Sequence, residues 1–277
     1  MAKAVLFQGD LPEEERVFYY ESEEDDPIKT DEQEKKEKVL LPEGYEYIPK
    51  NLFVRMYSSI LFRCFKVFAR FYARFYLHMT IVGREKFKKA KGTGYVIYGN
   101  HTNPFHDAFS PALVADRRIF TIISPVNLKL PGIGKYLPMI GGIPLGTNDA
   151  EKKEMNEAVD KRIKQKKCLV IYPEAHVWPY YTGIRKFPAG DKSFKYATRN
   201  NVPIFTMITT YHKSKVKGQA RPDMTVYVDG PFYPDPEKTE SENRAKLAEE
   251  AYESMVKWSK KSTYEYFQYR HKSTKRN

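Results

Sequence analysis

The run Gly99-Asn100-His101-Thr102-Asn103-Pro104-Phe105-His106-Asp107 sets an imidazole and a carboxylate close together, directly after the apolar stretch 95–98. Asn103 suits a helix N-cap and Pro104 a first helical position, so a helix should begin there with Asp107 in its first turn. His101 then stands at the end of a strand, just ahead of that helix. A histidine so placed, with a carboxylate beside it, can serve as a general base, the carboxylate fixing the tautomer and stabilising the imidazolium. The same residues also read as an exposed loop histidine next to an aspartate placed for the helix dipole. Within one continuous helix the spacing would point the two side chains apart, but a loop ahead of Pro104 can bring them together. Asp107 ranks above His106 as the partner because a carboxylate orients an imidazole better than a second imidazole does.

Elements able to hold such a pair follow from the apolar patterning. Runs at 95–98, 119–123, 168–172, 203–208 and 224–228 are rich in β-branched and aromatic residues and bounded by Gly, Pro, Asn or Asp. Helical patterns lie between and after them, at about 105–115, 149–166, 192–200 and 241–269. Strands alternating with helices predict an α/β fold, a mostly parallel central sheet flanked by helices. Ligands of such sheets sit at the carboxyl ends of the strands, where His101 falls.

Residues 51–82 differ in character. They contain no acid, and Arg55, Arg63, Lys66, Arg70, Arg74 and His78 fall on less than half of a helix circumference otherwise apolar and aromatic. This pattern suits an amphipathic helix in a membrane interface, basic groups toward lipid phosphates and aromatic groups in the acyl boundary. It equally suits a helix packed on its own domain with a solvated basic stripe. No stretch of 18 apolar residues occurs and the N-terminus lacks a secretory pattern, so the expectation is a peripheral protein at the cytoplasmic face of a membrane, without a transmembrane helix.

Residues 1–50 hold 7 Lys and Arg against 15 Asp and Glu; of 47 basic and 35 acidic residues in the 277-residue chain, 40 and 20 therefore lie in 51–277. The part beyond residue 50 is strongly basic, which favours phosphate-bearing partners. Cys64 and Cys168 are too few for a disulfide framework, pointing to a reducing compartment. The expected organisation is an acidic extended arm (1–50), the basic amphipathic helix (51–80), an α/β domain (81–235) and a C-terminal helix (236–277). Residues 4–9, Ala-Val-Leu-Phe-Gln-Gly, look like a protease recognition scar and are set aside.

Four strand ends, taken in order, carry a resemblance. They are Asn100-His101 through Asp107, then Gly141-Gly142-Ile143-Pro144-Leu145, then Tyr172-Pro173-Glu174-Ala175-His176, and last Val202-Pro203-Ile204. The series resembles the glycerolipid acyltransferases, whose best-known members acylate lysophosphatidic acid, over about residues 82–230. That family has an Asn-His-x4-Asp block, a Gly-x-x-Phe/Ile-Pro-x-Arg block, a Pro-Glu-Gly-Thr-Arg block and a Val-Pro-Ile block. Here the first spacing is one residue longer, Gly146 stands where the second block has Arg, and Ala175-His176-Val177 replaces Gly-Thr-Arg.

The resemblance implies an acyltransferase domain in which His101 is the base and Asp107 its partner, with Glu174, Gly142 and Thr147 at substrate. Arg185 and Lys186, the basic residues nearest the Glu174 block, would meet the acceptor phosphate in place of the missing arginines. It implies transfer of a fatty acyl group from acyl-CoA or acyl carrier protein to lysophosphatidic acid or a related lysophospholipid, without metal or resident cofactor. An anionic membrane surface, the acceptor, the acyl donor and an acyl carrier protein are the implied partners, and nucleic acid is not among them. Two other classes stay open from the residues alone. One is a basic lipid- or nucleic-acid-binding protein without catalysis. The other is a metallohydrolase using His101, His106 and Asp107, against which stands the lack of a second His/Asp cluster.

Overall fold

A computed structural model describes residues 11–25, 40–90, 92–103 and 106–272. Seven strands form one sheet in the order β2 (Thr80–Val82), β8 (Asp223–Phe232), β7 (Ile204–His212), β3 (Tyr95–Gly99), β6 (Cys168–Ile171), β4 (Ile119–Ile123), β5 (Gly142–Pro144). The stretch from β7 to β5 is parallel; β8 pairs antiparallel with β7, and β2 pairs parallel with β8. The expected mostly parallel α/β sheet is therefore present. Each apolar run of the sequence becomes a strand because central parallel strands are covered on both faces and leave no face for alternating polar residues.

Among the described residues six helices flank or adjoin the sheet: α1 (Leu52–Phe75), α2 (His106–Val114), α3 (Leu137–Ile140), α4 (Asp149–Lys164), α5 (Lys195–Asn200) and α6 (Glu240–Ser259). Strand β3 shows the layering. Its Val96 and Tyr98 pack with Val159 of α4, Ala197 of α5 and Leu247 of α6. Its Tyr95 and Ile97 face the other way, toward Phe62 of α1, Ala112 of α2 and Phe87 of the 3-10 helix Arg84–Ala90. The side chains of β3 alternate between these layers, as the strand period of two requires.

Local chemistry sets the helix starts. Asn148 and Thr239 accept the N3 amides of α4 and α6, the latter in a full capping box with Glu242. At Asn51 the side chain accepts from Phe53 N at 2.8 Å and opens α1. For α2, the Asn103 side chain accepts from His106 N at 3.1 Å, as an N-cap should; Pro104, expected as the first helical residue, lies outside the described residues.

Three elements depart from the sequence reading. Helix α1 ends at Phe75 because the chain turns at His78, which has φ +46° and pairs with Asp223 at 3.0 Å, and residues 80–82 join the sheet as β2. His78 thus does not belong to the basic stripe. The C-terminal helix ends at Ser259 rather than near 269. Beyond it the Thr263 and Tyr264 amides both bond Tyr211 O, and β9 (Gln268–His271) pairs in parallel with β1 (Val17–Tyr20). Part of the acidic arm is thereby a strand with a role in covering the site; residues 26–39 of that arm, and 4–9, lie outside the described residues.

Helix α1 presents one face to the domain through Phe62, Ala69 and Ala73, which are buried. Its opposite face carries Phe53, Met56, Tyr57, Ile60, Val67, Phe68, Phe71 and Phe75, all exposed, with Phe53 at 79% and Phe75 at 70%. No helix among the described residues is long and apolar enough to cross a membrane.

Candidate active site

The loop leaving β3 and the start of α2 bring His101 and Asp107 together, with His101 Nδ1 2.6 Å from Asp107 Oδ2. That same oxygen accepts from Thr102 N and Asn103 N, each at 3.0 Å. Three donors converging on one oxygen hold the carboxylate where loop and helix meet. Asp107 is 4% exposed; burial pushes its carboxyl above the usual range, and the His101 ring and the two amides pull the other way. With Nδ1 donating to the carboxylate, the network assigns Nε2 as the unprotonated nitrogen. The His101 side chain is 19% exposed, and no bond of Nε2 occurs among the described residues.

The neighbouring strand ends lock this pair. Asn100 bonds Thr209 twice, its Nδ2 donating to the carbonyl at 2.9 Å and its Oδ1 accepting from the amide at 2.8 Å. Tyr211 donates its hydroxyl to Thr102 Oγ1 at 2.6 Å. From β6, Tyr172 stacks on the His101 ring at 4.6 Å and 19°, while its hydroxyl donates to Asp107 O at 2.6 Å. Backbone bonds from Trp178 N to His101 O and from Tyr180 N to Thr102 O join the loop after β6 to the loop after β3. Sequence reading passed over Asn100, Tyr172 and Tyr211. Asn100 carried a signal, as a polar residue at the end of an apolar strand; the other two looked like strand aromatics.

His106 is not the partner of His101. It is 4% exposed, beside the rings of Tyr72 and Tyr180, and burial, with Arg221 adding to it, lowers its pKa to about 3. The imidazole is neutral at any physiological pH, and the preference for Asp107 agrees with the geometry.

Glu174 follows β6 and is 1% exposed. Burial raises its carboxyl to about 7; the Arg185 guanidinium, with Nε 3.3 Å from Oε2, and the backbone amides of Arg185 and His101 oppose that shift. Arg185 is also 1% exposed, and its guanidinium donates to Glu23 O at 3.0 Å and to His176 O and lies 4.9 Å from the Trp178 ring centre. The expectation that Arg185 meets the acceptor phosphate is therefore corrected: its donors are directed at Glu174 and at two carbonyls. It ties the loop after β6 to the N-terminal segment, a neighbour that no local pattern in the chain signals. Trp178 completes that roof, donating to Asp25 O at 2.8 Å and stacking on Tyr269 of β9 at 4.8 Å. Lys186, next to Arg185, is exposed.

Two further expected substrate residues are placed elsewhere. Gly142 opens β5 at the sheet edge, where a Cβ would stand 2.9 Å from Ile123 Cδ1 and 3.0 Å from Leu137 O, so close packing explains the glycine. Thr147 donates both its amide and its hydroxyl to Glu151 Oε2 at 2.7 Å, a cap of α4. The glycine in the family's arginine position also has a packing cause. A Cβ on Gly146 would lie 2.4 Å from Lys152 N in the first turn of α4, leaving no room for a side chain.

Among the described residues no group of three or more His, Cys, Asp or Glu side chains comes together as a metal site. What the arrangement offers is a buried carboxylate, an oriented imidazole and a free Nε2 at the carboxyl end of the central strand, the equipment for removing a proton from a hydroxyl.

Comparison with known proteins agrees with that chemistry. Residues 78–210, from the turn before β2 to the middle of β7, match the family model described as Acyltransferase. Among solved structures the chain is similar to the 1-acyl-sn-glycerophosphate (LPA) acyltransferase PlsC from Thermotoga maritima. The TM-score is 0.55 and the identity 15%, over 79% of this chain and 87% of that one, so the likeness is one of fold. No curated protein matches the sequence. The order of the four strand-end blocks, the mostly parallel sheet and this domain match agree on an acyltransferase domain over residues 78–210.

Proposed function

We propose that the protein transfers a fatty acyl group from an acyl thioester, of coenzyme A or acyl carrier protein, to the free hydroxyl of lysophosphatidic acid or a related lysophospholipid. The observation that carries this reading is the 2.6 Å His101–Asp107 pair at the carboxyl end of β3 with Nε2 left open. Nε2 takes the proton of the acceptor hydroxyl as its oxygen attacks the thioester carbonyl. The tetrahedral adduct collapses, the C–S bond breaks, and the leaving thiolate takes the proton back from Nε2. No acyl-enzyme is needed. Cys168 is buried in β6, its thiol pKa pushed well up by burial, and Cys64 lies exposed on α1, outside this site.

The exposed aromatic face of α1 supports a membrane-bound acceptor. Phe53, Tyr57, Ile60, Phe68, Phe71 and Phe75 would enter the acyl boundary, while Arg63, Lys66, Arg70 and Arg74 lie along its flank toward lipid phosphates. The far end of α1 reaches the site, its Tyr72 ring lying 5.5 Å from that of Phe109 of α2 and 6.3 Å from that of His106. The protein would thus act at a membrane surface, on a lipid presented at the end of the helix that anchors it.

Incubation with labelled acyl-CoA or acyl carrier protein thioester and a panel of lysophospholipids, followed by product identification, tests this reading. Labelled phosphatidic acid, or another diacyl phospholipid, is the expected product. A protein that binds vesicles but releases no thiol with either donor would be a binding protein and not this enzyme.

A further inference from the structure

At the opposite end of the sheet from His101 lies a cavity of about 320 Å³. Arg118 and Lys167 line it from just ahead of β4 and β6, Arg55 from the first turn of α1, Arg162 from the last turn of α4, and Lys135 from the 3-10 turn Gly134–Tyr136. Glu46, an acid in the lining, is already held by Lys50 at 3.3 Å. Strand β4 runs from this cavity toward the catalytic end, and its five residues span about 16 Å. The cavity is therefore separate from the acyl-transfer site, and its chemistry is independent of the acyl-transfer reading.

Arg118 and Arg162 are held in place but not neutralised. Arg118 donates to Ser58 Oγ at 2.7 Å and Met139 O at 2.9 Å, and the ring of Phe120 lies between Arg118 at 5.4 Å and Arg162 at 4.4 Å. Among the described residues no carboxylate pairs with Arg55, Arg118 or Arg162. Burial, then the charge of Arg162, lowers the Arg118 pKa to about 10, and burial followed by Arg55 lowers that of Arg162. Two buried donors in the wall, Arg118 Nε and the Tyr47 hydroxyl, find no hydrogen-bond partner among the described residues. Buried donors without partners are rare and costly. A bound anion would satisfy both and remove the repulsion.

We infer that this cavity is a second, non-catalytic binding site for a phosphate group. Several guanidinium and ammonium groups converging from five parts of the chain suit a tetrahedral dianion with many acceptor oxygens better than a flat carboxylate. A volume near 320 Å³ is about ten times the share of a water molecule, about 30 Å³, so it accommodates a phosphate with a substituent attached. Both a soluble phosphate ester and a phospholipid headgroup present this chemistry. The second would enter beside the exposed Phe53 and Met56 of α1.

Calorimetric titration with inorganic phosphate, run on the full chain, tests the site. Wild type and His101→Ala should bind alike, whereas Arg55→Gln/Arg162→Gln should raise Kd about tenfold or more, as the loss of charge-assisted contacts requires. A control with the same charge change on the exposed part of α4, Lys161→Gln/Lys164→Gln, should keep wild-type affinity. Tyr47→Phe, a milder change, should weaken binding by a few-fold, and circular dichroism would verify that all variants are folded. Sedimentation with phosphatidylcholine vesicles with and without phosphatidylglycerol separates the two sources. A headgroup source predicts that inorganic phosphate competes with the anionic vesicles and that Arg55→Gln/Arg162→Gln sediments less than the control; a soluble source predicts neither. Equal affinity for phosphate and vesicles in the double variant and the control, or loss of phosphate binding in His101→Ala, would overturn the proposal.

Discussion

Asp107→Asn is the most informative single change, because the structure states what it removes. Asp107 Oδ2 accepts from His101 Nδ1 at 2.6 Å and from the amides of Thr102 and Asn103 at 3.0 Å. In the asparagine variant the two amides hold the side-chain oxygen at the Oδ2 position, where it still accepts from Nδ1, so the tautomer is kept. What is lost is the negative charge that stabilises the imidazolium when Nε2 takes the proton. The corresponding substitution in a Ser-His-Asp triad, where the tautomer is upset as well, costs about 10⁴ in kcat and sets the upper limit. A loss of about 10²–10³, or about 3–4 kcal/mol of barrier, is expected here. The assay is thiol release from an acyl thioester in the presence of lysophosphatidic acid. KM should change little, since Asp107 does not touch substrate, and the melting temperature should hold or rise, because an isosteric amide relieves the burial that pushes the Asp107 carboxyl up. His106→Ala should cost far less in rate, its ring being 4% exposed and beside the rings of Tyr72 and Tyr180. A loss smaller than tenfold in Asp107→Asn, or a larger loss in His106→Ala, would refute the assignment of partners.

Stability should depend on pH through Glu174, whose folded carboxyl sits at about 7 against an ordinary 4.5. Between those values the folded state holds a proton that the unfolded chain has lost, so stability falls as pH rises through this window, by about 3 kcal/mol at most. Chemical denaturation at intervals from pH 4 to 8 should show that slope in wild type and its loss in Glu174→Gln; an unchanged slope would place the titration elsewhere. Ala175 has φ +64°, a left-handed conformation that a Cβ disfavours, at the position where the family block has glycine. Ala175→Gly should therefore raise the unfolding free energy by about 0.5–1 kcal/mol in urea, and a decrease would mean that the loop is not strained there. Replacing Arg63, Lys66, Arg70 and Arg74 of α1 by Glu should release the protein from anionic vesicles, and added salt should weaken the wild-type interaction, since each basic residue near such a surface contributes about 1 kcal/mol and is screened. Sedimentation unaffected by either change would show that α1 does not meet lipid.

Much of the fold was legible because it is written in local chemistry. The runs at 95–98, 119–123 and 168–172 read as strands since central parallel strands must be apolar on both faces, and 149–166 reads as a helix from its pattern. His101 and Asp107 were legible for a related reason. They are close in the chain, and the loop between a strand and a capped helix leaves few ways to hold them apart. Strand β9 was not legible, because its partner β1 lies at the other end of the chain and nothing in residues 268–271 distinguishes a strand from a continuation of α6.

Arg185 shows the limit most clearly. Its type and its nearness to the Glu174 block suited a phosphate ligand; its role as a buried clamp depends on Glu174 and on the carbonyl of Glu23, brought there by the β1–β9 pairing. Gly142 and Thr147 were misread for the same reason, since the backbone around Leu137 and the carboxylate of Glu151 define what those residues do. The basic cavity is the converse case. Arg55, read as part of the basic stripe, and Arg118, Lys135, Arg162 and Lys167 lie far apart in the sequence, and only the packing of α1 and α4 against the amino ends of β4 and β6 turns them into one site. Hydrophobic period, caps and short-range motifs act over a few residues and so survive in a one-dimensional reading. Which charged groups meet across the sheet is set by long-range pairing, and there the tertiary structure decides.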